Sequence, residues 1–138
     1  MINARSILIV DDDWGIRTLL ARFLSQRGHT VATAEEGLEG LRQAQRLKPD
    51  LIILDYRLPG MDGLTLARMI RGDKSIKHVA LVMLTVIDQQ EVIDRARKLG
   101  VAAYVVKPFR VGQLMDVVEE ILNEQGSPPK KADSGDVA

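Results

Sequence analysis

An α/β fold with a five-stranded parallel sheet is predicted by two features of this sequence. Five short aliphatic runs alternate with five stretches of helical periodicity. The runs are rich in Val, Ile and Leu and lack polar alternation, as expected of strands buried on both faces by helices. The result is a doubly wound sheet with helices on either side.

The first strand is predicted at Ser6–Val10. Ile16, Leu19, Leu20, Phe23 and Leu24 then follow helical spacing, with Gly28 as a C-terminal stop. The second strand is Thr30–Thr33, followed by a helix carrying Leu38, Leu41, Ala44 and Leu47 and ended by Pro49. The third is Leu51–Leu54, and its helix carries Leu64, Ala67, Met69 and Ile70. The fourth is Val79–Leu84, with Val92, Ile93, Ala96 and Leu99 on a helix stopped by Gly100. The fifth is Ala103–Val106, and Leu114, Val117, Val118, Ile121 and Leu122 mark the last helix. Residues 1–124 thus form one domain. From residue 125 the chain turns small, polar and proline-containing (GSPPKKADSGDVA), and 125–138 reads as a flexible tail or a truncated linker.

Composition narrows the function. The chain has 138 residues, with 19 basic and 19 acidic side chains and no net charge, so it lacks a nucleic-acid footprint. It has no cysteine, which excludes disulfides, thiol nucleophiles and thiolate metal sites. No apolar run approaches the roughly 20 residues of a membrane helix, and no signal peptide is evident, so the cytoplasm is the expected location.

In an open parallel sheet, sites form at the carboxyl ends of the strands. Here the first strand ends on Asp11-Asp12-Asp13, the third on Asp55, the fourth on Thr85 and the fifth on Lys107. Asp13 suits the N-cap of the first helix. Asp55 precedes Tyr-Arg-Leu-Pro-Gly, a turn, and has no helix to cap. Carboxylates gathered at a low-dielectric edge are expected to raise one another's pKa, and a hard divalent cation such as Mg²⁺ relieves that repulsion. Cation, ammonium and hydroxyl around a carboxylate nucleophile make an apparatus for phosphoryl transfer.

Four motifs, ILIVDDD, LIILDYRLPGMDGL, ALVMLT and GVAAYVVKPF, carry a resemblance over residues 5 to 123. Together they resemble the receiver domain of two-component response regulators. The resemblance implies a CheY-like, flavodoxin-like (βα)₅ fold and a phosphorylation-dependent switch rather than an enzyme. Asp55 would be the phosphoacceptor. Asp12 would bind Mg²⁺ directly and Asp11 mainly through water, with the Arg57 carbonyl as a further ligand. Thr85 and Lys107 would engage the phosphoryl group, Tyr104 would switch rotamer with Thr85, and the Lys107–Pro108 bond would be cis. Partners would be a sensor histidine kinase or phosphotransfer protein and a downstream effector docking on the fourth helix, fifth strand and fifth helix. The chain would be a monomer or weak homodimer. No output domain follows, which suggests a single-domain regulator unless the tail is a linker cut short.

One departure stands out: Val86 occupies the position after Thr85 where such domains usually have a small residue. It is expected to narrow access to the phosphoryl group. Tyr104 could also be a strand aromatic with its hydroxyl in water. Phe109 is expected in the core, Met61 and Asp62 to shape the turn before the third helix, and Gly63 to ease the backbone there. Two alternatives compete. A haloacid-dehalogenase-type phosphatase would use Asp11 and Asp13, but it lacks a suitable acidic motif after Lys107 and leaves Asp55 idle. A receiver fold without phosphorylation would leave the acidic set, Thr85 and Lys107 without purpose.

Overall fold

A computed structural model describes residues 4–126. The elements are β1 (Ser6–Val10), α1 (Trp14–Gln26), β2 (Thr30–Ala34), α2 (Gly37–Leu47), β3 (Leu51–Leu54), α3 (Gly63–Arg71), β4 (Ala80–Thr85), α4 (Gln90–Lys98), β5 (Ala103–Val106) and α5 (Val111–Gly126). All five strands pair in parallel, in the order β2-β1-β3-β4-β5.

The pleat divides the core in two. Leu8, Val10, Ile52, Leu54, Leu81 and Met83 face the apolar sides of α2, α3 and α4. Ile7, Ile9, Leu51, Ile53, Val82 and Leu84 face α1 and α5. Both faces of β1, β3 and β4 are therefore buried, which is why their sequences carry no alternation.

Local chemistry sets the ends of the elements. The Asp13 carboxylate accepts the Ile16 N–H at 3.2 Å and caps α1. The turn after α1 passes through Gly28 at φ +93°, a conformation that favours glycine. Asp62 caps α3 by accepting the Thr65 N–H at 2.8 Å, and Met61 packs against the α2–α4 core. Three strand ends differ by one residue from the sequence reading. Val79 spends its N–H on a turn, bonding Ile76 O at 3.1 Å, so β4 starts at Ala80. Thr85 pairs with Val106 and accepts the Lys107 N–H at 2.8 Å, so it closes β4. Likewise β2 runs on to Ala34, whose carbonyl takes the Asp11 N–H. Helix α5 continues through Gly126, past the expected end at residue 124; the rest of the expected tail lies outside the described residues. Among the described residues no helix is long and apolar enough to cross a membrane.

Candidate functional site

The strand order reverses between β1 and β3, so these two carboxyl ends emerge side by side. Asp11 and Asp55 stand there, each one residue past its strand, and the Asp55 N–H still bonds the Val10 carbonyl at 3.1 Å. Both are held by a ladder that cannot move without disturbing the core. Asp11 is 2% exposed, Asp55 6% and Thr85 fully buried. Asp12 is exposed.

Lys107 reaches back from the end of β5 to join them. Its Nζ donates to Asp11 Oδ2 and to Asp55 Oδ2, both at 2.9 Å. The remaining oxygens are used as well: Asp11 Oδ1 accepts the Asp13 N–H at 2.9 Å, and Asp55 Oδ1 accepts the Arg57 N–H at 3.1 Å. Asp11, Asp12 and Asp55 each place a carboxylate oxygen within 4.8 Å of the others. An all-oxygen set of this kind, two members buried and one open to solvent, fits a hard divalent cation such as Mg²⁺ that retains waters.

Electrostatics follow from burial. Desolvation pushes the Asp11 carboxyl above the ordinary range, against the lowering effect of the Asp13 N–H and of Lys107. Repulsion from Asp55 also raises it, as expected of neighbouring carboxylates, but is the smallest contribution. For Lys107, burial is the largest single influence and works to lower the ammonium, but the hydrogen bonds and charges of Asp11 and Asp55 together outweigh it and hold it above its usual value.

The Thr85–Ile87 segment is fixed from two directions. The Thr85 hydroxyl accepts the Ile87 N–H at a long 3.4 Å, and the Tyr104 hydroxyl donates to the Ile87 carbonyl at 2.7 Å. Tyr104 is thus not a strand aromatic with its hydroxyl in water. Burial, followed by the field of Asp55, raises its phenol pKa. The Lys107–Pro108 peptide is cis. Phe109 is only half-buried, at the edge of the α1/α5 core, because the chain leaves the sheet just before it. Asp13 is occupied as a cap and stands outside the acidic trio, which disfavours its use with Asp11 as a catalytic pair.

The role of Gly63 differs from the expected one. Its φ is not positive; what matters is close approach, since a Cβ there would run into the carbonyl of Asp55 and lie 2.9 Å from Tyr56 Cα. The α3 start can cross behind the Asp55 peptide only without a side chain. Gly63→Ala is expected to cost about 2 kcal/mol through overpacking against backbone, read as a lower urea midpoint at unchanged slope.

One neighbour of the site carried no signal in the sequence. Arg17 of α1 donates to the Asp11 carbonyl at 2.8 Å and lies 3.7 Å from Glu35, tying the β1–α1 turn to the loop after β2. Helical spacing places it one turn past Asp13, but nothing in the spacing says which carbonyl it meets.

Residues 7–119 match the response regulator receiver domain family. The chain is 35% identical over 123 residues to sporulation initiation phosphotransferase F of Bacillus subtilis, covering 88% of this chain and 96% of that protein. It is 38% identical over 117 residues to the transcriptional regulatory protein PdtaR of Mycobacterium tuberculosis, covering 83% of this chain and 55% of that one. The structure of a CheY-like response regulator receiver domain protein from Methanospirillum hungatei superimposes with a TM-score of 0.84 at 29% identity, over 90% of this chain and 98% of that one.

Proposed function

The chain belongs to the response regulator receiver domain family of two-component signalling, and within it we propose that Asp55 accepts a phosphoryl group from a phosphohistidine. The observation that carries this reading is Lys107 held between Asp11 and Asp55 at 2.9 Å from each. An Asp55 oxygen attacks phosphorus, the P–N bond to imidazole breaks, and the bonding pair leaves with the ring nitrogen. Asp12, Asp11, Asp55 and the Arg57 carbonyl would hold Mg²⁺, which supplies charge neutralisation to the transferred group. Lys107 then exchanges an aspartate oxygen for a phosphoryl oxygen. The Thr85 hydroxyl turns toward the same group and gives up its weak bond from Ile87, which frees Tyr104 to change rotamer. That couples the site to the α4–β5–α5 face, where an effector protein or an output domain would dock.

An apolar surface supports a helical donor. Ile16, Leu19, Val86, Pro108, Phe109 and Val111 surround the open side of Lys107 and suit the apolar face of a kinase or phosphotransfer helix presenting its histidine. We read the chain as a receiver followed by a tail or linker, acting as a monomer or weak dimer in the cytoplasm.

Intact mass after incubation with Mg²⁺ and either acetyl phosphate or a phosphorylated kinase domain tests the proposal. One added phosphate that disappears when Mg²⁺ is chelated is expected; no adduct from either donor would refute it. Val86 is 55% exposed and stands on the rim beside Lys107 and Pro108. Val86→Ala is expected to shorten the lifetime of the phosphorylated form several-fold by opening a path for water. Equal lifetimes would show that the side chain shields nothing.

A further inference from the structure

The opposite end of the sheet carries a second charged feature with no part in phosphoryl transfer. A cleft of about 460 Å³ opens at the amino ends of β1, β3 and β4. Four cations converge on it from three separate segments: Arg5 before β1, Lys48 after α2, and Lys74 and Lys77 on the loop before β4, with His78 beside them. Pro49, Ile76 and Val79 line it from below, all three buried.

In a chain with no net charge this is a local excess: Asp50 in the cleft and Asp73 beside it, whose charge Lys48 also feels, offset two of the four cations and leave two in surplus. None of the four cations forms an ion pair among the described residues. Asp50, the carboxylate of the cleft, is turned to the Ser6 N–H at 2.8 Å. Nearby Asp73 is held by Ser75 and Gln45. Lys48 also occupies a left-handed conformation at φ 48°, at a helix end where glycine is favoured. Arg71 braces the cleft wall from behind, donating to the Lys77 carbonyl at 2.8 Å and the Val79 carbonyl at 2.7 Å, so the loop carrying Lys74 and Lys77 is fixed in place.

We propose that this cleft binds a small phosphorylated ligand of nucleotide size, its phosphates on Arg5, Lys48, Lys74 and Lys77 and its ring on the Pro49–Ile76–Val79 floor. The size is that of a small-molecule site, and an apolar floor with a cationic rim matches a ligand that is apolar at one end and anionic at the other. Binding there would leave the Asp55 edge free.

The test is an amide NMR titration of the full chain with ATP and, separately, inorganic tripolyphosphate, at low salt and with EDTA present to keep Mg²⁺ from bridging phosphates to the acidic site. Saturable shifts at the amides of Lys48, Asp50 and residues 74–79 are expected, with ATP binding more tightly than tripolyphosphate. The Lys74→Gln/Lys77→Gln double variant should weaken ATP about tenfold, as two exposed phosphate contacts would. Arg22→Gln, an exposed cation on α1, should leave the affinity unchanged. No saturable shift, shifts that survive the double variant, or binding of duplex DNA without ATP would each overturn the proposal. Equal affinity for the two probes would overturn the nucleotide assignment.

Discussion

Asp55→Asn is expected to fold normally and take no phosphate from either donor. The amide keeps an oxygen for the Arg57 N–H, which Asp55 Oδ1 now accepts at 3.1 Å, while its NH₂ replaces the oxygen that Lys107 Nζ now meets at 2.9 Å, so the ammonium turns to Asp11. It removes a charge from a position only 6% exposed, so burial is not made more costly. Lys107 keeps Asp11 as an anionic partner at 2.9 Å. What disappears is nucleophilicity, since a neutral amide oxygen does not attack phosphorus at a useful rate. Intact mass should show complete loss of the adduct, while thermal unfolding stays within a few degrees of the parent. An adduct that persists in Asp55→Asn and vanishes in Asp11→Asn would move the nucleophile to Asp11 and revive the phosphatase reading.

The fold was legible because burial on both faces leaves a strong mark. LIIL and ALVMLT admit no solvent face, and β3 and β4 are fully buried along their length. The acidic cluster was legible for the same reason, since a charged residue directly after such a strand must sit at the sheet edge. Contacts that depend on long side chains crossing between elements were not legible. Arg71 is the clearest case. From α3 it donates to the carbonyls of Leu99 at 2.7 Å and Gly100 at 3.1 Å as well as to Lys77 and Val79, bracing two loops. In the sequence it is one more cation near a helix C-terminus, where basic residues are common. His29 is similar: its Nδ1 accepts the Arg5 N–H at 3.1 Å and its Nε2 lies 2.9 Å from Glu119 on α5, a pairing 90 residues apart that no local pattern encodes. Gly63 looked like a turn residue because sequence shows glycine but not the reason for it, and here the reason is the backbone of Asp55 behind it.

Lys107→Met should have the largest effect on stability, and Mg²⁺ should reverse most of it. The ammonium is the counter-charge shared by two nearly buried carboxylates, with side-chain exposures of 14% for Lys107, 3% for Asp11 and 9% for Asp55. Removing one member of a buried ionic set while the others remain costs about 3 kcal/mol, because the stranded charges stay desolvated. Linkage gives the sign with pH. Asp11 titrates above 3.8 in the folded chain, so metal-free stability falls as pH rises from 3.8 through the folded value. Lys107 titrates above 10.5 in the folded chain, so its contribution is present below 10.5 and is lost as pH rises through the folded value. At neutral pH the parent therefore bears the cost of ionised Asp11 and is compensated by Lys107, and the variant bears the cost alone. A divalent cation replaces the missing charge, and it binds without competition from the ammonium. Mg²⁺ affinity should accordingly rise in Lys107→Met, followed by the emission of Trp14, the only tryptophan, which is 71% exposed and two residues from Asp12. If the variant were as stable as the parent without metal, Lys107 would be no counter-charge for the two carboxylates. If it were less stable but bound Mg²⁺ more weakly, the ammonium would be organising the metal ligands rather than competing with the ion.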